Sequence, residues 1–221
     1  MNDKLDKSQQ TESNKHAGLS NISTDSEDVA DYYDDWANDY DSTLSNWQYV
    51  APQQVASKLS EKLSSESSIL DVGSGTGLSG KALQDAGFGT VDGIDVSSRS
   101  LEIAKTTKAY RNLTAMNLQD LPLNIPAGEY DGIACVGVLT YLTDGAGTLK
   151  EFCRIVKPDG FVTMTQRTDL FAERDFRRTC ESLVTDGLAK KLNISEPCPY
   201  LPDNEEFGDQ ILIHYISFVV A

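Results

Sequence analysis

Residues 69–77 read Ile-Leu-Asp-Val-Gly-Ser-Gly-Thr-Gly, an apolar run carrying one acid, Asp71, and then glycines at alternate positions, Gly73, Gly75 and Gly77, with Ser74 between the first two. Glycine has no Cβ, so such a loop can turn through positive φ and lay bare N–H and C=O groups against a small polar molecule. If a helix opens immediately afterwards, its unpaired N–H groups add to the same surface. The chemistry expected here is recognition by backbone rather than attack by a side chain. A second apolar run, Val91-Asp92-Gly93-Ile94-Asp95-Val96, ends in another acid. A carboxylate at that place can accept both hydroxyls of a ribose, each charge-assisted bond being worth about 1.5–3 kcal/mol.

Two ligands suit the glycines. Gly75-x-Gly77-x-x-Gly80, with Asp95 about 20 residues on, satisfies the dinucleotide fingerprint. The other frame starts at Gly73, directly after the strand, and suits a molecule with an amino-acid end and a nucleoside end but no pyrophosphate. Three features favour the second frame. Gly73 makes the tight turn, whereas the dinucleotide fingerprint starts two residues late. Asp95 closes its strand. Residues 116–122, Met-Asn-Leu-Gln-Asp-Leu-Pro, place an amide and a backbone N–H where an adenine edge would lie. Together they fit S-adenosylmethionine better than NAD, and NAD stays open as the alternative.

Short apolar runs at 67–72, 90–96, 112–116, 130–138 and 160–166 alternate with helical stretches at about 76–86, 98–107 and 145–156. Such alternation predicts an α/β fold, a parallel sheet with helices on both faces and a ligand at the carboxyl ends of the strands. Upstream, Tyr33, Trp36 and Tyr40 form one stripe of a helix over 28–41, and Val55, Leu59 and Leu63, preceded by Pro52, suggest another. Downstream, an amphipathic helix over about 171–190 leads to strands at 193–202 and 210–220, joined through a polar turn as an antiparallel pair at the sheet edge. Residues 1–27 are polar and almost without large apolar side chains, so they are expected to be a disordered tail. Residues 28–221 then make one domain: N-terminal helices over 28–64, a ligand-binding core over 65–167, and a C-terminal helix with edge strands over 168–221.

With 34 acidic against 19 basic side chains in 221 residues, the net charge of -15 repels phosphate backbones and anionic lipid. The expected partner is a small-molecule substrate, not nucleic acid or a membrane. Cys135, Cys153, Cys180 and Cys198 form no CxxC pair and have only His16 and His214 to join them, which argues against zinc. No leader pattern or bilayer-length apolar run is apparent, so a cytoplasmic protein with reduced thiols is expected.

The segments ILDVGSGTG (69–77), GIDVS (93–97), MNLQDLP (116–122), YDGIACVGVL (130–139) and RIVKPDGFV (154–162) stand in an order and spacing that resemble the class I S-adenosylmethionine-dependent methyltransferases over roughly residues 65–167. YYDDWANDYDSTLSNWQYVAP (32–52) and TQRTD (165–169) narrow the likeness to methyltransferases of the Williams-Beuren-region type. The resemblance implies a Rossmann-like, doubly wound, mostly parallel seven-stranded sheet with an antiparallel C-terminal edge hairpin and N-terminal lid helices. It implies that Gly73, Gly75 and Gly77 line the methionine moiety, with Ser74 in the same loop and Asp71 more an anchor of it than a ligand. Asp95 and Val96 would hold the ribose, and Asn117 and Leu118 would bracket adenine, Asn117 through its carbonyl. The Cys135 and Val136 backbone would lie near the methionine amino group, and Tyr33 and Tyr40 would cover the cofactor.

Trp36, Tyr141 and Arg167 are the residues expected to face the acceptor. No catalytic residue is nominated, because in-line displacement at a sulfonium methyl asks chiefly for alignment and exclusion of water. A module that binds S-adenosylmethionine without turnover is the second reading, and an NAD-dependent oxidoreductase the third. Plainer roles stand beside these: Arg167 as a surface arginine pairing with Asp169, the aromatic stripe as core, His214 as a structural strand histidine, and Glu173 to Arg178 as a solvated helix face. Two departures from the family pattern are Asn117, where many relatives carry Asp, and Asp159, where a glycine is common.

Overall fold

The computed structural model describes residues 23–204 and 210–221, with the side chains of 36–43, 45 and 46 outside the described set. The expected tail therefore lies outside the described residues up to position 22. The first helix, α1 (Ser26–Asn46), starts before the expected residue 28, with Asp25 capping it by accepting from the Glu27 and Asp28 N–H groups at 2.9 and 3.3 Å. Helix α2 (Ala51–Ser60) follows with proline in its first turn, and Leu63 falls in the turn beyond its end.

The core alternates: β1 (Ser68–Val72), α3 (Leu78–Asp85), β2 (Thr90–Asp95), α4 (Ser98–Thr106), β3 (Asn112–Ala115), β4 (Tyr130–Cys135), α5 (Gly145–Ile155) and β5 (Val156–Arg167). Helices α6 (Thr168–Glu173) and α7 (Phe176–Thr185) lead to β6 (Ala189–Ile194), the two-residue β7 (Cys198–Pro199) and β8 (Leu212–Val220). The sheet order is β3-β2-β1-β4-β5-β8-β6, parallel from β3 through β5, with β8 antiparallel to both neighbours and β7 paired to β8.

Period-two alternation assigns the two faces. Leu70, Val72, Ile133 and Met164 point toward α5 and α7, where Phe152, Leu149 and Leu183 are buried. Ile69, Ala134 and Phe161 point toward α2 and α3, against Leu59, Val55 and Leu83. Strands covered on both sides must read as continuous apolar runs, which is why Ser68–Val72 shows no polar alternation beyond Asp71. Truncating a leucine such as Leu70, wholly buried here, costs about 2–5 kcal/mol in comparable cores.

Three features depart from the sequence reading. The expected helix over 171–190 breaks at Asp175, whose φ of 45° is left-handed, and ends at Thr185. The C-terminal strands do form an antiparallel pair at the edge, β8 lying between β5 and the outermost β6, but the expected strand over 193–202 is instead Ala189–Ile194 with the two-residue Cys198–Pro199 beyond it. Strand β4 stops at Cys135 rather than 138, because Gly137 takes a φ of 75°.

Candidate functional site

The chain leaves β1 and crosses to β2 and β3 on one side, then returns to β4 on the other. Between the carboxyl ends of β1 and β4 the connections diverge and a crevice must open. There the structure has a cavity of about 750 Å³ of non-protein space, open solvent at its mouth included.

The floor is the glycine loop. Gly73 and Ser74 donate to the Ile94 carbonyl at 2.8 and 3.0 Å, tying the loop to β2, and Gly73, Gly75 and Gly77 take φ of 73°, 50° and 100°. A Cβ on Gly73 would stand 2.1 Å from the Val138 Cγ2, so this glycine is required both by its dihedral and by the post-β4 segment above it. Asp95 ends β2 with one carboxylate oxygen accepting from Gly75 N–H and the other from Ser97 N–H, each at 2.8 Å. Burial raises its pKa while those backbone donors pull it down, and the negative charge of Asp34 raises it further.

The adenine-side segment after β3 is held from behind. The buried Glu151 of α5 accepts from Leu123 N–H at 2.8 Å, and Arg154 donates to the Leu123 and Ile125 carbonyls at 3.2 and 2.8 Å. In front, α1 closes over it: Ser26 Oγ donates to Asn117 Oδ1 at 3.0 Å, and Gln119 Nε2 donates to the Thr24 carbonyl at 2.7 Å and to Ser26 Oγ at 3.0 Å. Further along α1, Asp34 accepts from the Ser97 hydroxyl and from Arg99 N–H, and Tyr33 donates to the Tyr141 hydroxyl at 2.9 Å. Tyr141 stands on a short 3₁₀ turn, Leu139–Tyr141, whose carbonyls are gathered by one guanidinium: Arg174 donates to Leu139, Thr140 and Leu142 at 3.2, 3.0 and 2.8 Å.

Of the residues expected at the cofactor or acceptor, Tyr33, Gly73, Gly75, Asp95, Val96, Asn117, Leu118, Val136 and Tyr141 line this cavity. Four do not. Asp71 is fully buried on the far side of the loop, accepting from the Tyr110 hydroxyl at 2.7 Å. Ser74 is buried with its Oγ lacking a partner among the described residues. Gly77 turns its Cα toward Thr107 and Ala104, so it serves the approach of α4. Cys135 is still inside β4 with its thiol in the core, and burial pushes its pKa up; the cavity wall begins one residue later. The side chains of Trp36 and Tyr40 lie outside the described residues. Asn117 spends its carbonyl oxygen on Ser26 and on Gln119 N–H, so that atom is committed to the turn rather than to an adenine amine.

Several lining residues escaped the sequence reading: Ser26, Val29, Thr76, Gln119, Gly137 and Leu142 among them. Ser26 and Gln119 carried no signal, because a serine in a polar tail and a glutamine in a loop look the same whether or not they meet. Arg174, expected on a solvated face, instead positions Tyr141. His214 does not line the cavity; its Nδ1 is 2.7 Å from the Ser195 carbonyl oxygen and its ring is tilted on Phe171 at 4.4 Å. The third glycine of the dinucleotide frame has a local use: Gly80 N–H donates to the Tyr110 hydroxyl at 3.0 Å, and a Cβ there would enter the Tyr110 ring at 2.2 Å. Gly80 makes room for the tyrosine that holds Asp71.

A second cavity, about 540 Å³ of non-protein space including solvent at its mouth, adjoins the first and shares Tyr33, Gly137 and Tyr141 with it. Arg167 lines it, with Nε and Nη2 donating to Asp169 at 3.2 and 2.7 Å, so the expected neighbour is met, but the side chain is 15% exposed and not a surface arginine. Among the described residues no helix is long and apolar enough to cross a membrane.

Residues 70–164 match the family described as "Methyltransferase domain". The human methyltransferase-like protein 27 is 34% identical over 141 residues, 62% of this chain and 57% of that protein. A ubiquinone biosynthesis O-methyltransferase from Neisseria meningitidis is 30% identical over 99 residues, 42% of this chain and 41% of that one. The chain thus spans about half the length of the curated relatives it matches. In fold it is similar to a chain from a complex of the Haloferax volcanii Trm112 methyltransferase activator with a methyltransferase, at TM-score 0.64 and 17% identity, covering 86% of this chain and 96% of that one. The matched family segment takes in the glycine loop, Asp95, the post-β3 segment and β4 in that order, and the sheet carries them at its switch point. Residues 70–164 of this chain are thus similar to a methyltransferase domain family, carried on a fold shared with solved methyltransferase structures.

Proposed function

We propose that the chain transfers a methyl group from S-adenosylmethionine to a small-molecule acceptor, and the observation that carries this is the adjoining pair of cavities meeting at Tyr33, Gly137 and Tyr141. The residues fit the cofactor. Each Asp95 oxygen accepts one of the two 2.8 Å backbone bonds, which leaves a lone pair on each for a ribose hydroxyl. Gly73 and Gly75 bring bare backbone to the floor, Gly75 with nothing within 4 Å of where its Cβ would be. Val96, Leu118, Val136 and Leu142 supply apolar walls for a purine. When bound, S-adenosylmethionine supplies a methyl carbon activated by a sulfonium, the bond to sulfur breaking as the acceptor's lone pair attacks.

The chain's own part is to bind, orient and exclude water. Helix α1 lies across the first cavity, and the clamp of Arg174 fixes the turn bearing Tyr141. No His, Lys or Cys lines either cavity among the described residues, and burial raises the Tyr141 and Tyr200 hydroxyl pKa values, so these groups keep their protons at neutral pH. The acceptor therefore arrives with an available lone pair. The same observation favours the second reading, binding without turnover.

Isothermal calorimetry with S-adenosylmethionine and S-adenosylhomocysteine tests the cofactor site, and no heat at millimolar ligand would sink the proposal. Formation of S-adenosylhomocysteine in a metabolite extract separates an enzyme from a binding module.

A further inference from the structure

We infer that the Tyr200 hydroxyl faces the point of methyl transfer, where its oxygen accepts from the acceptor's attacking atom and so aims that atom at the methyl carbon; this rests on the methyltransferase reading and adds an acceptor-orienting residue to it. The first observation is where the hydroxyl stands. Gly137 borders both cavities, and having no side chain it leaves its open side to the C-terminal segment. A Cβ there would meet the Tyr200 hydroxyl oxygen at 2.6 Å and the Tyr49 hydroxyl oxygen at 3.8 Å. The left-handed φ of 75° and the tyrosine therefore both demand glycine at this place. With the cofactor in the first cavity and the acceptor in the second, the methyl group crosses beside Gly137, and the Tyr200 oxygen lies along that path.

The second observation is how firmly the hydroxyl is held. Tyr200 N–H donates to the Ile211 carbonyl at 3.0 Å, and its ring meets that of Tyr49 edge-on, with centroids 5.2 Å apart and planes at 89°. The two hydroxyl oxygens are 3.1 Å apart, joining segments separated by 151 positions. Gly137 is fixed from the other side, its N–H donating to Thr165 Oγ1 of β5 at 2.9 Å. One bond between two hydroxyls uses one hydrogen and one lone pair, so Tyr200 keeps an accepting position whichever of the two donates. Burial pushes its pKa up, with the Tyr49 bond opposing the shift, so the oxygen stays protonated and neutral. A neutral phenol beside the path holds an N–H or O–H without removing the proton, and turns the lone pair on the same atom toward the methyl carbon. For a nitrogen acceptor, that lone pair forms the bond to the methyl carbon, the carbon–sulfur pair passes to sulfur, and the methylated cation gives its surplus proton to water after leaving.

The test needs no acceptor. Sinefungin carries an amine-bearing carbon in place of the sulfonium and its methyl, so it puts N–H donors at the transfer point, which S-adenosylhomocysteine leaves empty. Calorimetry on the full chain should show sinefungin binding about tenfold or more tightly than S-adenosylhomocysteine. Tyr200→Phe should abolish that preference while S-adenosylhomocysteine affinity stays unchanged, since Tyr200 lines the second cavity and not the first. Equal binding of the two ligands by the wild type would overturn the proposal, whatever the variant's fold. A preference that survives Tyr200→Phe would overturn it too, as would one lost instead in Tyr141→Phe, which removes the neighbouring hydroxyl at the junction. A tyrosine with a merely structural role would weaken both ligands together, and that result also counts against an orienting hydroxyl. Because wild-type S-adenosylhomocysteine binding is read in the same experiment, failure here is distinguishable from failure of the cofactor site.

Discussion

Asp71 offers a quantitative test of how the glycine loop is anchored. It is 0% exposed, with one oxygen accepting from Tyr110 and the other lacking a partner among the described residues. Desolvation is the dominant cause that raises its pKa, to about 7; the Tyr110 bond opposes the shift and the Asp95 charge adds to it. The unfolded chain would titrate near the ordinary carboxylate value of 3.8, so the folded state holds the proton more tightly, by on the order of 4 kcal/mol. The sign follows. This stabilisation is complete below the unfolded pKa, declines as pH rises between the two values, and is gone above the folded one. Asp71→Asn removes the titration while keeping the shape. Urea unfolding of both proteins from pH 5 to pH 8, analysed as the difference, cancels every other titrating group. The wild type should lose about 3 kcal/mol relative to the variant over that range. A difference that stays flat would mean that the carboxylate is solvated or paired in the folded state, and the anchoring argument would fail.

Asp95→Ala should weaken S-adenosylmethionine binding by about tenfold or more in calorimetry, since charge-assisted bonds of about 1.5–3 kcal/mol are lost; unchanged affinity would remove Asp95 from the ribose. Gly73→Ala should cost about 2–4 kcal/mol in urea unfolding, from the left-handed φ of 73° and the overlap with Val138, whereas Gly75→Ala, with nothing within 4 Å, should cost only about 1–2 kcal/mol. Equal losses at the two glycines would refute the steric assignment. Asp159 occupies a left-handed φ of 66° where a glycine is common in the family pattern, and its pair with Lys190 is solvent-exposed. Asp159→Gly should therefore raise the thermal midpoint, and a lowered midpoint would show that the ion pair matters more than the dihedral.

What could be read from the sequence was whatever local periodicity or local sterics dictates. The strands around Leu70, Ile94, Ile133 and Val162 were legible because a strand buried on both faces has to be apolar throughout. The glycine loop was legible because few other residues tolerate its dihedrals. Contacts between segments far apart in the chain were not. Ser26 meets Asn117 across 91 positions, and Arg174 reaches the turn at Leu139 across 35, with nothing in either residue's neighbours to announce the partner. The insertion of β8 between β5 and β6 is of the same kind, since periodicity gives a strand's faces but not its neighbours. Cys135 was misplaced by a single position because the end of β4 depends on the left-handed Gly137 two residues later.

Helix α1 carries the physics of closure. Over Ser26–Asn46 it has seven acidic residues and no basic one, so its charges repel along the helix and its intrinsic stability is poor. What holds it are long-range hydrogen bonds, Ser26 to Asn117, Gln119 to Thr24, Asp34 with Ser97 and Tyr33 to Tyr141, each worth about 0.5–1.5 kcal/mol net. Every one of these anchors ends on a segment that lines or borders the cofactor cavity. The docking of α1 and the completion of that cavity are thus one equilibrium, and a ligand that adds contacts to the docked helix must strengthen it by the same free energy that the helix lends to the ligand.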